Sequence, residues 1–184
     1  MQRLGNSGRF VHVSARIPES RRQELVSEAN RQGINFNALV NRVLNKYLEF
    51  DMLSEHEHSI TLDRRIFSPI LDRMTEEDMK NLGKRLGPRL TRETLEFFDV
   101  EFTLDGLVSR YLEPMGRYSG RFRFNSTSRG LGLKGVLEHD YGRKWSVFLA
   151  EYTSGIVKSI LGTEPRIEVE DDLVKIRFDG SMGI

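Results

Sequence analysis

The chain has 184 residues, 38% of them hydrophobic and 30% charged, with a formal net charge of +1. That is an ordinary globular composition with room for one or two domains, and it excludes a disordered or fibrous chain. There is no cysteine, so disulfides, thiolate metal sites and a cysteine nucleophile are excluded together. No apolar run approaches the roughly 20 residues needed to span a bilayer, and the N-terminus lacks the apolar core of a secretory signal. The expectation is a cytoplasmic protein with no membrane partner.

The charge is unevenly spread. Residues 1–50 carry eight Lys and Arg against four Glu, while the remainder is mildly acidic. A basic module on an acidic body suits a nucleic-acid reader joined to a second function.

In chain order, residues 10–17 predict a short strand. Val13, Ala15 and Ile17 share one face, and His12, Ser14 and Arg16 share the other. Pro18 ends that strand and opens a helix from about Glu19 to Gln32, with Leu25, Val26 and Ala29 as its apolar stripe and Gly33 as its stop. Asn35 is a suitable N-cap for a second helix carrying Leu39, Val40, Val43, Leu44, Tyr47 and Leu48. So wide a stripe cannot be buried by three short elements, which points to a second copy of the chain.

Residues 51–58 predict a polar linker, and Ser59 to Asp63 a short strand. A helix is expected from about Phe67, with a restart at Thr75, where Asp78 sits at capping-box distance. Gly83, Gly87 and Pro88 should close that helix, and Thr91 should cap another through Phe98. Residues 103–115 predict a further helix. Strands are expected at 121–125 and 131–139, then a strong amphipathic helix over 142–161 ending at Gly162. Ile167 to Phe178 alternates around Asp171-Asp172 as a hairpin. The fold class is therefore α+β, with helices followed by a β-β-α-β-β stretch over 59–184.

The run Val11-His-Val-Ser-Ala-Arg-Ile-Pro-Glu, then Leu25, Ala29 and Gly33-Ile-Asn, then Ala38-Leu-Val, Val43-Leu and Tyr47-Leu resembles the ribbon-helix-helix family of the MetJ/Arc superfamily of repressors. The likeness covers about residues 9–50. It implies a homodimer whose two-stranded ribbon lies in the major groove of double-stranded DNA, and leaves open whether two dimers pair into a tetramer. On that reading residues 1–50 are a DNA-binding and dimerisation domain of a transcription regulator. His12, Ser14 and Arg16 face the bases. Arg9 and the helix start at Asn35, Phe36 and Asn37 face phosphate. Phe36 departs from the small polar residue usual there. The alternative is an antitoxin-type protein whose C-terminal part binds a partner protein.

Other motifs carry less. Gly130, Gly132 and Gly135 spell GxGxxG, but a strand follows where a dinucleotide site needs a helix. His56 and His58 form a His-x-His in the polar linker, and neither a metal nor a cofactor is expected. His139, Arg143 and Lys144 sit where a strand hands over to the main helix, and are the candidate contacts for an effector. Trp145 beside them is expected in the core. No Ser, His and acid recur at catalytic spacing, so an enzyme is not expected.

Overall fold

The computed structural model describes residue 11, residues 13–129 and residues 132–178. The chain divides into two compact units, Met1–Asn45 and Lys46–Ile184. Each has its own logic.

In the first unit Pro18 precedes α1 (Glu19–Arg31), its fixed φ of −56° suiting a helix start. Gly33 follows the helix at φ 67°, the left-handed conformation that closes many helices, and the Ile34 amide returns to the Ala29 carbonyl. The Asn35 side chain accepts from the Ala38 amide at 2.8 Å and so caps α2 (Phe36–Lys46) as expected. Ala29 and Leu39 are the buried apolar side chains of this unit among the described residues.

Residues 13–18 are not in a strand, and every strand among the described residues lies between Arg123 and Phe178. This corrects the resemblance to the ribbon-helix-helix family. That fold requires an N-terminal strand, and alternating residues become one only where a partner backbone takes up their N–H and C=O groups. Residues 13–17 have no such partner among the described residues.

The second unit is helical to residue 118 and then forms a sheet. A stretch with π-type hydrogen bonding (Tyr47–Asp51) leads into α3 (Met52–His56), where Leu53 is buried. The expected polar linker is thus helical through His56. The expected strand at 59–63 is irregular, and Asp63 instead caps α4 (Arg64–Arg73) by accepting from the Arg65 amide at 2.8 Å. Thr75 and Asp78 form the anticipated reciprocal capping box of α5 (Glu76–Phe97). Then come α6 (Leu104–Leu107), a second π-type stretch (Val108–Leu112), α7 (Glu113–Tyr118), β1 (Arg123–Arg129), β2 (Gly132–Glu138), α8 (Arg143–Leu161), β3 (Arg166–Val169) and β4 (Leu173–Phe178).

α5 does not stop at Gly83, Gly87 and Pro88. It runs through them for 22 residues. A proline inside a helix normally costs about 3 kcal/mol, so tertiary packing must compensate. The glycines give the reason. A methyl group on Gly83 would lie 2.5 Å from the Phe148 carbonyl oxygen, and one on Gly87 would lie 2.2 Å from that of Tyr152. The Pro88 ring fills the space that Gly155 leaves, 2.9 Å from where a methyl group there would sit. α5 and α8 therefore meet backbone against backbone, and Thr91, Thr94 and Leu95 extend the same buried stripe.

The sheet is antiparallel throughout in the order β1-β2-β4-β3. β4 is inserted between β2 and β3, the two strands that α8 connects. One face carries Leu133, Leu137, Val174, Ile176 and Phe178, all buried, and α8 packs on β3 and β4. Lys134, Lys175 and Arg177 point from the opposite face and are exposed. The architecture is mixed α+β, with helices followed by a four-stranded antiparallel sheet.

Gly87→Ala tests the close helix contact. Alanine has the higher helix propensity by about 1 kcal/mol, yet the added methyl must force the helices apart. A net loss of about 1–3 kcal/mol is expected, read as a lower urea midpoint for the full chain.

Candidate nucleic-acid interface

The first unit is basic by composition, but much of that charge is spent locally. Arg21 pairs with Glu24 at 2.7 Å, Arg22 with Glu19 at 3.7 Å and Arg31 with Glu28 at 2.6 Å. Hydrogen bonds from Arg31 and Gln32 hold the Glu28 carboxyl down to about 2. Arg42 donates to the Gln32 side chain. Arg16 is exposed and has no carboxylate within ion-pair distance among the described residues. Its guanidinium is left with its full set of donors.

Ser14 and Arg16 lie two apart on the irregular segment before Pro18, both exposed. At the start of α2 the Asn35 side chain is committed to the cap, Phe36 is half-buried and Asn37 is exposed. Asn35 satisfies the third amide of the helix, and the Phe36 and Asn37 amides have no acceptor among the described residues. Arg9 and His12, the other two expected contacts, lie outside the described residues. The arrangement offers a forked donor suited to guanine O6 and N7, and two amides suited to an anion.

The expected effector contacts of the second unit are all engaged internally. Lys144 Nζ donates to the Asp72 carbonyl at 2.9 Å, and Arg143 lies 3.5 Å from Glu76. Trp145 is buried, stacks on Phe148 with centroids 4.5 Å apart, and donates its indole N–H to the Arg121 carbonyl at 2.9 Å.

His139 is buried, with Nε2 at 2.8 Å from Ser146 Oγ and Nδ1 at 3.7 Å from Asp172 Oδ1. This brings together a Ser, a His and an Asp that spacing did not reveal. The protons decide what the group does. The Tyr141 amide donates to Nδ1 at 3.2 Å, so Nδ1 is the acceptor and Nε2 carries the hydrogen. Nε2 then donates to Ser146, whose own hydroxyl donates to the Asp171 carbonyl at 3.0 Å. A serine nucleophile needs the reverse, with the imidazole accepting from the hydroxyl and Nδ1–H facing the carboxylate. Ser146 is also completely buried. The group is a latch that ties the end of β2, the first turn of α8 and the β3–β4 turn together. Asp172 completes it by accepting from the Gly142 amide at 2.8 Å, and its carbonyl accepts from the His139 amide at 3.0 Å.

His56 is stacked on Phe97 with centroids 4.8 Å apart, and His58 sits at φ 52° in the turn that follows α3. No cluster of three or more potential metal ligands occurs among the described residues. Gly132 and Gly135 lie within β2, and the Phe124 ring packs over Gly135. Among the described residues, no helix is long and apolar enough to cross a membrane. No protein-family model matches the chain, and neither the curated proteins nor the solved structures contain a match to it.

The latch gives a signed pH dependence. Burial lowers the His139 pKa, so the unfolded chain takes up that proton first as pH falls. The contribution is complete above about 6.5 and declines as pH drops below it. His139→Gln removes the titrating group. The fall in melting temperature between pH 7 and pH 5 should be smaller in that variant than in the native chain. Equal falls would show that His139 does not titrate on unfolding.

Proposed function

We propose that the chain is a DNA-binding regulator that works as a dimer, with its first unit both self-associating and meeting the major groove. The observation that carries this reading is a core left half-built. Val43 and Leu44 of α2 are 54% and 53% exposed, and Val13 and Ile17 of the segment before Pro18 are 79% and 44% exposed. Burying one such side chain is worth about 1.5–3 kcal/mol. A second copy would cover these groups. Ser14 and Arg16, both exposed, would then be presented together by two copies. Arg16 is the base reader, and the α2 amides with Asn37 hold phosphate.

Selection of bound duplexes from a random-sequence pool at low salt tests the reading directly. A defined, two-fold related sequence is expected. Arg16→Ala should weaken that site by about 1–3 kcal/mol, with preference relaxed at one base position and the dimer intact. Sedimentation should show a dimer in the native chain and a monomer after Leu44→Glu. A native chain that sediments as a monomer and enriches no sequence overturns the proposal.

A further inference from the structure

The pairing register places like charges side by side on the open face of the sheet. Thr127 faces Lys134, Lys134 faces Arg177, and Arg177 faces Arg166. One row across all four strands therefore carries three cations on neighbouring strands, and all three are exposed. None has a carboxylate within ion-pair distance among the described residues, whereas the flanking cations do. Arg123 lies 3.6 Å from Glu138, and Lys175 lies 2.5 Å from Glu170. Like charges directly opposite one another destabilise a sheet. Here they stand on a part of the chain that is acidic overall.

We infer that this row is a second, sequence-independent contact for a nucleic-acid backbone. Strand spacing makes the three-cation row about 10 Å long, the axial rise of about three phosphates on one strand of a duplex. The next row holds Glu168 opposite Lys175, and the one beyond it holds Glu138 opposite Arg123. A linear polyanion can follow the basic row and avoid those carboxylates. A plane of anionic lipid headgroups would press on them as well. No aromatic side chain stands in these rows, so bases have nothing to stack on and the contact reads charge alone.

The inference is independent of the role proposed for Arg16, and one set of measurements separates the two. Binding of a fluorescent duplex of arbitrary sequence is followed against salt for the full chain. The comparison is with a triple variant, Lys134→Gln, Arg166→Gln and Arg177→Gln. The slope of log K against log salt should fall in magnitude by about 2–3, and affinity at low salt by tenfold or more. Melting temperature should hold or rise, because repulsion is relieved. Swapping each Lys for Arg and each Arg for Lys should preserve binding. Arg16→Ala should leave this slope nearly unchanged, so failure of one reading does not imitate failure of the other. An unchanged slope in the triple variant overturns the inference. So does a native chain that binds phosphatidylserine vesicles in preference to duplex.

Discussion

Everything in the second unit depends on how closely α5 and α8 approach. Two helices with ordinary side chains stand apart by the thickness of those side chains. Here Gly83 and Gly87 remove it on one helix, Gly155 removes it on the other, and the Pro88 ring fills the gap. The gain is backbone packing at close range along a stripe that continues through Thr91 and Thr94. The cost is a proline in mid-helix, tolerable only because the same contact holds both sides of the break.

That contact sets the layers. α8 is covered on one side by α5 and on the other by the sheet, which is why ten of its 19 residues are buried. Its N-terminus must then be placed accurately, and the His139–Ser146 latch does this with partners from the end of β2 and the β3–β4 turn. The helices described here that pack on the sheet lie on its inner face, and Lys134, Arg166 and Arg177 on the outer face stay in solvent.

Periodicity made much of this legible. α1, α8 and the β3–β4 hairpin follow from apolar spacing, and the α5 start follows from Thr75 and Asp78. The end of α5 did not follow. Gly-x-x-x-Gly-Pro carries a local stop signal, and only a facing helix that needs small residues overrides it. The expected strand at 59–63 failed for the same kind of reason, since Asp63 found a capping role. At the N-terminus, alternation in 13–17 says which side chains share a face. It does not say whether a partner backbone is present, and among the described residues 13–17 are not in a strand. The clusters were hidden more deeply. Ser146, His139 and Asp172 meet through the sheet turns, and the basic row exists only once register is fixed. A shift of one residue would scatter those cations to opposite faces.

The two basic surfaces differ in kind, and the difference follows from where each arginine stands. Arg16 lies on an irregular segment between the small Ala15 and the apolar Ile17, and on the proposed reading its planar fork would meet base edges without competition. Arg166 and Arg177 stand opposite one another on neighbouring strands of a sheet, a broad face that does not enter a groove. Such cations can neutralise phosphates but cannot choose among sequences. A protein carrying both would draw affinity from the sheet and selectivity from the segment. Raising salt would then weaken attachment to any DNA far more than it would change which sequence is preferred.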